Sequence, residues 1–553
     1  MGSRGVSVNQ SSVFVAAALV TLYAFSAQAQ TPPPATAPQV NPGLINNQNQ
    51  QNREQLQQRN ELPQGPAVLA APRGESNIVA PGGPTFILRG VKVDKSHFLS
   101  SQDLDAITSK YIGTRVDISG VQRMVKEIND LYAQRGIITG AAYLPRQKLK
   151  NGLVEVKIVE GRLEKVKITG ANALSNDFVL SHVDLKEGDY VDVPHITQDL
   201  AFFNKTGVAR IQALMQPGAQ FGLTDVELAV TEPPKNLVQV FVDNQGVSSV
   251  GELEAGTLLQ HYGMLGFDDK LTLYAVKSEG NINGNAGYNI AVDPWGGRIG
   301  VSFTRGEIHD VAGPYKSLDI TGESEVASIN ASQPLFATSD WLFLVNGSLA
   351  RDVSSSDLSQ TPITGNYTSL ETGGITLGYT GANASATVSP TVSAAQSYSD
   401  VSGLRENFAL QSGTLSSLLQ LPYGFNATLG GAWQLASKEL LPGDQLFQIG
   451  GPTTVRGYPT SAVAGPDGYY DNLELHRPIA VLDTSLDVYG FFDHGAVYNH
   501  FPAVQTLNSA GMGFSWSVTK YVVAELSAGF PLDKVVDPQS PYEIYFRLTA
   551  KLQ

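Results

Sequence analysis

The chain contains no cysteine among its 553 residues. A disulfide framework, a thiolate metal site and a cysteine nucleophile are therefore excluded. The same absence suits an envelope protein that travels unfolded through an oxidising compartment. Charge is sparse: Asp, Glu, Lys and Arg make up 16% of the chain, the balance is −14, and no basic run stands out. That excludes the positive footprint of a nucleic-acid binder. Long apolar runs are also missing. After Phe25 no uninterrupted apolar stretch reaches the ~18 residues that mark a spanning helix. The mature chain is thus soluble in the periplasm, secreted, or a barrel. Gly-x-x-x-x-Gly-Lys-[Ser/Thr], Gly-x-Ser-x-Gly and His-Glu-x-x-His do not occur, so no nucleotide cradle, nucleophile elbow or zinc helix is expected. The eight histidines are scattered, and His494 reads as a strand residue facing lipid headgroups or a neighbour. The expectation is a protein that is not an enzyme, without catalytic, cofactor-binding or metal-ligating residues.

Glycine, by contrast, is abundant at 55 residues, which leans toward β-architecture with many turns. Residues 1–29 read as a signal peptide. Arg4 gives the positive start, Val13 to Phe25 the apolar core, and Ala27-Gln28-Ala29 the cleavage site, so the mature chain is expected to begin at Gln30. An uncleaved anchor is the rival, but the apolar core falls short of the ~20 residues a spanning helix needs.

Residues 30–62 are low in complexity. Asn46 to Leu62 is rich in Gln and Asn and reads as a helix stopped by Pro63, polar all round and with no face to bury in an ordinary core. Two readings stand: plain disorder, or a helix lodged in a polar lumen. Residues 63–84 form a Pro/Gly/Ala-rich linker. Over 85–160 a small α+β unit is expected. Its strand Phe86 to Val93 is followed by a short helix from Gln102 to Ile112. A second helix has Val121, Met124, Val125, Ile128, Leu131 and Tyr132 on one stripe, Ser119 as its cap and Gly136 at its end. Strands Ile137 to Leu144 and Leu153 to Val159 complete the unit. The order β-α-α-β-β recurs over 161–233, and such a tandem repeat weighs more than either copy. Thr231-Glu232-Pro233-Pro234 closes it, because proline cannot continue a central strand.

From residue 234 to 553 short strands alternate apolar and polar residues. The last is the clearest: Tyr542, Ile544, Phe546, Leu548, Ala550 and Leu552 on one face; Glu543, Tyr545, Arg547, Thr549, Lys551 and Gln553 on the other. Apolar-out, polar-in alternation of this extent predicts an all-β transmembrane barrel of about 16 antiparallel strands.

Within that segment a glycine-rich stretch, Gly450-Gly451-Pro452-Thr453-Thr454-Val455-Arg456-Gly457-Tyr458, precedes a strand ending in Phe491-Phe492-Asp493-His494-Gly495. Parity puts Asp487, Tyr489, Phe491, Asp493 and Gly495 on the lumen side and Leu486, Val488, Gly490 and Phe492 toward lipid. The loop from Gly450 to Gly468 has room to fold inward. A charge-assisted Arg456–Asp493 pair, able to be bidentate, is the expected link. Gly450, Gly451 and Gly457 let the backbone turn tightly. Tyr458 is placed to pack its ring on the wall while its hydroxyl finds a partner.

These residues, together with Gly136-Ile137-Ile138-Thr139, Ala142-Tyr143-Leu144-Pro145-Arg146-Gln147, Val159-Glu160-Gly161-Arg162-Leu163 and Val242-Asp243-Asn244-Gln245-Gly246 with Gly251 and Gly256, carry a resemblance. The chain resembles the outer-membrane transporters of two-partner secretion, of the haemolysin-activator/filamentous-haemagglutinin-transporter type within the Omp85 superfamily. The likeness covers residues 46 to 553. It implies a 16-stranded barrel, two periplasmic polypeptide-transport-associated (POTRA) domains at 85–160 and 161–233, and a plug helix at 46–62. Val455, Arg456, Gly457 and Tyr458 correspond to the tip of the sixth extracellular loop, and Phe491, Asp493 and Gly495 to the wall motif that contacts it. The implied partner is an unfolded secreted exoprotein. Outer-membrane lipid and the barrel-assembly machinery are the other expected partners, and the transporter is expected to be a monomer. One departure is the end of the chain, Leu552-Gln553, in place of the terminal aromatic common in such barrels. The alternative function is an assembly factor of the same superfamily that inserts other barrels. A passive porin needs no repeat of the kind found upstream.

Overall fold

In the computed structural model, residues 41–59, 68–70, 82–149, 151–481, 484–499, 503–535 and 539–552 are described. The expected signal peptide, its cleavage before Gln30, Pro63 and the terminal Gln553 lie outside these residues.

The first element is helix α1, Pro42–Gln58, followed by the short strand β1, Val68–Ala70. The first α+β unit has strands β2 (Phe86–Ile87) and β3 (Gly90–Val93), helix α2 (Ser101–Thr108), strand β4 (Arg115–Val116), helix α3 (Ile118–Gln134), and strands β5 (Gly140–Tyr143) and β6 (Leu153–Glu160). The single strand expected from Phe86 to Val93 is broken in two. Its first half pairs with β4 and its second runs parallel to β6. The apolar stripe of α3 is where periodicity placed it, with Val121, Met124, Val125, Ile128 and Tyr132 buried. Its cap is Asp117, not Ser119. The Asp117 carboxylate accepts from the Gly120 N–H at 2.8 Å, and Ser119 donates its hydroxyl to that carboxylate at 2.7 Å. A charged acceptor suits a helix N-terminus better than a hydroxyl. The Ser119 hydroxyl and then the Gly120 N–H hold the Asp117 carboxyl down at about 2.

The second unit repeats the β3-α2-α3-β5-β6 part of that order, without strands matching β2 and β4 among the described residues, as β7 (Arg162–Thr169), α4 (Asn176–Ser181), α5 (Val193–Thr206), β8 (Arg210–Pro217) and β9 (Leu223–Thr231). Val179, Ile196, Leu200 and Phe203 from its helices bury against Ile211, Ala213, Val226 and Leu228 from its sheet. Strand β6 passes directly into β7 across Gly161, where a Cβ would lie 2.4 Å from the Thr224 hydroxyl.

A closed barrel of sixteen antiparallel strands follows. In chain order the strands are β10 (Asn236–Asp243), β11 (Glu254–Tyr262), β12 (Lys270–Lys277), β13 (Asn281–Ala291), β14 (Arg298–His309), β15 (Ile320–Ala337), β16 (Trp341–Leu358), β17 (Thr361–Thr380), β18 (Ala384–Ser399), β19 (Arg405–Leu421) and β20 (Phe425–Ala436). A small hairpin, β21 (Phe447–Ile449) and β22 (Val463–Gly465), forms a sheet of its own and is not part of the wall. Strands β23 (Asp467–Val481), β24 (Thr484–Tyr498), β25 (Val504–Thr519), β26 (Val522–Pro531) and β27 (Glu543–Leu552) complete it, and β10 pairs with β27 to close the ring. Alternation sorts the two faces. On β27, Ile544, Phe546 and Leu548 point outward, while Tyr545, Arg547 and Thr549 are buried within. An apolar outer surface is the form lipid requires, and closure leaves no strand edge unpaired in the membrane.

Candidate functional site in the barrel lumen

The loop between β20 and β23 does not project from the barrel; it turns back inside. Its backbone bends at Gly450 and Gly451, whose φ angles of +109° and +96° suit glycine alone. The Gly450 N–H donates to the Thr454 hydroxyl at 2.8 Å, and that hydroxyl donates to the Gly450 carbonyl at 3.0 Å. This tight turn carries Val455 to Tyr458 down to the wall. Val455 and Tyr458 are fully buried with Ile449, Val463, Val497 and Leu507 in a small apolar cluster. Gly457, φ +87°, lies so near β26 that a Cβ would stand 3.0 Å from the Gly529 carbonyl carbon.

Arg456 meets Asp493 as a fork. Its Nε is 2.7 Å from Oδ2 and its Nη2 is 2.6 Å from Oδ1, while its backbone N–H donates to Oδ2 at 3.0 Å. Asp493 is fully buried. The third guanidinium nitrogen, Nη1, donates to Glu474 Oε1 at 2.5 Å, and the guanidinium carbon lies 3.5 Å from the centroid of the Phe491 ring. The wall motif therefore divides its work over one inner face of β24. Phe491 supplies a π-face for the cation, Asp493 the counter-charge, and Gly495 the room. A Cβ at Gly495 would sit 3.1 Å from Val455 Cγ2. The Tyr458 hydroxyl is 2.8 Å from the Asn508 carbonyl and 3.1 Å from that of Asp533. Tyr545 closes the site from β27 by donating its hydroxyl to the Tyr458 carbonyl at 2.8 Å.

Sequence reasoning placed the loop and Asp493 but missed Glu474, His476 and Tyr545. Glu474 Oε2 lies 2.8 Å from His476 Nε2, and His476 Nδ1 lies 2.7 Å from Asp487 Oδ2, so a polar chain runs along the inner wall from Arg456. The signal was available. Asn472 pairs with Asp493 across the sheet, so alternation along β23 turns Glu474 and His476 inward, and the same alternation on β27 turns Tyr545 inward. His494 bonds to neighbours, with Nε2 2.9 Å from the Tyr469 hydroxyl and Nδ1 2.6 Å from Asn508 Oδ1.

Helix α1 lies in the lumen beside this loop. It begins at Pro42, capped by Asn41, four residues before the expected Asn46, and ends at Gln58 rather than Leu62. The reason for the early start is chemical. The Asn41 side chain accepts from the Gly43 and Leu44 N–H groups, and proline is tolerated at the first helical position. Asn46, Gln48, Asn49 and Asn52 are all buried, an environment no apolar core would offer. Asn283 of β13 donates to Asn46 at 3.0 Å, Gln448 donates to the Leu44 carbonyl at 2.9 Å, and the Thr453 hydroxyl donates to Gln51 at 2.8 Å. The few apolar residues find small niches: Ile45 with Val247, Val250 and Ile308, and Leu56 with Phe241, Leu258 and Tyr274. At its far end Arg59 pairs with Glu525 of β26 at 2.5 Å. Helix and loop lie together within the bore, and a cavity lined by Gln50, Arg53 and Glu54 of α1 remains between the helix and the wall.

Two more buried arginine–aspartate pairs occur among the described residues. Arg547 Nε of β27 donates to Asp243 of β10 at 2.8 Å across the closing seam. Arg298 Nη1 of β14 donates to Asp268 Oδ2 at 2.7 Å, and Asp268 also accepts from the N–H groups of Val208 and Ala209 and from the Tyr262 hydroxyl. Asp268 thus joins the second α+β unit to the base of the barrel. Both are internal ties.

Comparison with known proteins agrees with this anatomy. Residues 86–161 match a family profile described as a ShlB-type POTRA domain, and residues 222–518 match the haemolysin secretion/activation protein ShlB/FhaC/HecB. An outer membrane transporter CdiB of Dickeya dadantii (strain 3937) is 24% identical over 511 residues, 88% of each chain. A hemolysin transporter protein ShlB of Serratia marcescens is 23% identical over 528 residues, 90% of each chain. Among solved structures, CdiB from Escherichia coli superposes with a TM-score of 0.71 at 20% identity, covering 93% of this chain and 99% of that one. BamA from Haemophilus ducreyi lacking POTRA domains 1–3 reaches 0.51 at 13% identity, covering 83% of this chain and 100% of that one.

Proposed function

Because the chain belongs to the ShlB/FhaC/HecB family of outer-membrane transporters of two-partner secretion, we propose that it captures an unfolded secreted exoprotein in the periplasm and passes it through its own lumen. The barrel sits in the outer membrane with the POTRA region in the periplasm. The observation that carries the proposal is the filling of the bore: a hydrophilic helix and a charged loop tip occupy a polar lumen. A channel that has to stay shut at rest and open for a polypeptide needs removable contents of this kind. Helix α1 is the plug, and the Arg456–Asp493 tie is the latch on the loop. Residues 161–233 form a second POTRA domain, since they repeat the β-α-α-β-β order of the first, and the mature chain starts at Gln30 and carries a linker at 63–84 ahead of the first. Strand edges of the two units receive the client by β-augmentation. The chain performs no catalysis. It works as a monomer in outer-membrane lipid after insertion by the barrel-assembly machinery, and folding of the client outside the cell biases its movement.

Comparing the exoproteomes of wild-type and deletion strains tests this. Loss of one large secreted protein is expected. A general loss of outer-membrane barrels would instead identify an assembly factor.

A further inference from the structure

The chain enters the barrel from the second α+β unit along β10, and antiparallel alternation makes β16, the seventh strand, run away from that unit. Asp352 lies toward the far end of β16, on its inner face. The wall around it is neutral: Ala350 and Ser354 along the strand, Val326 opposite on β15 and Thr368 opposite on β17. The charged neighbours Arg351 and Glu325 alternate to the outer face.

A second carboxyl comes to it from the inward loop. Asp444, on the turn Gly443–Gln445, lies against Asp352. Asp352 is 8% exposed and Asp444 2%. The Gln445 amide nitrogen donates to Oδ2 of both, at 3.1 Å to Asp352 and 3.0 Å to Asp444. The Oδ1 atom of each is buried and receives no donor. Among the described residues no cationic side chain acts on either carboxyl. Helix α1 has no charged residue before Arg53, and Lys438 and Glu439 of the inward loop are exposed. The loop from β14 to β15 carries Asp310, Lys316 and Asp319, none of which acts on Asp352.

Two buried carboxylates in contact do not both keep a full charge without a cation beside them. The hydrogen count agrees. Gln445 serves both Oδ2 atoms, and both Oδ1 atoms are left over. A single added proton turns one carboxyl into a donor to the other, the state in which paired acids share a site.

The pair also touches the plug. The Asn47 amide of α1 donates to the Asp444 carbonyl at 3.2 Å, and a Cβ on Gly43 would stand 2.4 Å from Asp444 Cβ. Asp444 is therefore held between the wall and the first turns of the helix. Asp352 is fixed on the barrel, whereas Asp444 stands on a loop. When the two carboxyls part, the loop and the start of α1 are what move.

We propose that Asp352 and Asp444 form a shared-proton clasp, set by the acidity at the outer mouth of the barrel, which holds the start of α1 to the wall. The inference rests on the plug reading above. The seated helix carries one more proton than the released one, because a solvated Asp444 ionises as an ordinary carboxyl. The sign follows by linkage: the hold is complete at low pH and is lost as pH rises through the titration of the pair.

A single cysteine in this cysteine-free chain reads the position of the helix. Asn49 of α1 is 2% exposed, so Asn49→Cys is shielded from a maleimide while the helix is seated. The rate is measured on purified full-length transporter and divided by that of the same chain unfolded at the same pH, which removes the titration of the thiol itself. From about pH 5 to about pH 9 the normalised rate is expected to rise roughly tenfold or more. Adding Asp352→Asn or Asp444→Asn supplies a permanent amide N–H in place of the shared proton, and each is expected to keep labelling slow at both pH values. Slow labelling that does not change with pH, or a pH response that survives in both Asn variants, overturns the clasp and leaves the plug standing. So does a hold that EDTA removes at constant pH and Mg²⁺ restores, since a bound cation then takes the place of the proton. Fast labelling of every form at every pH overturns both.

Discussion

Arg298–Asp268 and Arg456–Asp493 are built from the same two side chains, at nearly the same distance and depth of burial, yet they sit in opposite mechanical settings. At the base of the barrel every partner of Asp268 belongs to fixed scaffold: the start of β14, the end of β11, and the backbone just before β8. Nothing there has to move for a polypeptide to pass. In the lumen, Asp493 is equally fixed on β24, but Arg456 stands on a loop that blocks the bore. On the proposed transport reading the first pair is a weld and the second a latch. The chemistry does not distinguish them; what differs is whether the element on one side has an alternative position. A buried pair is poor evidence for net stability in either case, because desolvation offsets most of its attraction, but removing one partner strands a charge.

The largest expected effect follows from breaking the weld. Arg298→Met leaves Asp268 buried without its cation, which costs roughly 3–5 kcal/mol. Limited proteolysis is expected to cut the 263–269 turn, and the yield of folded barrel on a heat-modifiability gel is expected to fall. Arg456→Ala or Asp493→Ala strands a charge in a similar way, but only the loop depends on it. The barrel is expected to assemble while secretion drops. Normal secretion in both variants removes the latch from the mechanism, and an assembly defect as deep as that of Arg298→Met makes it a second weld. The double variant Arg456→Ala/Asp493→Ala sharpens the contrast, since deleting both charges relieves the desolvation penalty. Its thermal stability is expected to recover toward wild type while secretion stays low. The smallest effect concerns the first α+β unit, far from both ties. Burial disfavours the charged form of Glu160, but the Ser96 hydroxyl, the His97 N–H, the Tyr132 hydroxyl and the Phe98 N–H outweigh it and hold the carboxyl below its ordinary range. The stabilisation is complete above the unfolded value of about 4.3 and is lost as pH falls through the lower folded value. Thermal scans are expected to show wild type losing its advantage over Glu160→Gln across that window, with no change in the lumen.

Much of this was legible in the sequence, and the boundary has a physical cause. Strand alternation has a period of two, so facing is fixed once a strand is recognised; this is why Asp493 and the two faces of the last strand could be placed. The stripe on α3 likewise needed only its helical period. Helix α1 was harder. Its all-polar surface suits water as well as a lumen, and only the partners Asn283 and Gln448, hundreds of residues away, decide between them. Asp268 was illegible. It lies in a turn, where no period assigns a direction, and its partners Val208 and Ala209 are brought to it by packing of the second unit against the barrel. The cap of α3 is Asp117 where the sequence reading named only Ser119, because the charged carboxylate two residues earlier is the better acceptor for the helix N-terminus.

The helix in the bore also acts as a gauge. An α-helix with its side chains is ~10–12 Å across, so the opening left when α1 alone withdraws is at least that wide. On the transport reading proposed above, a client that takes the place of α1 fits as an extended chain or a single helix. On that reading the cargo is selected by width before any sequence in it is read, and a tightly folding tag fused within it is expected to stop in the periplasm with the leading portion already outside.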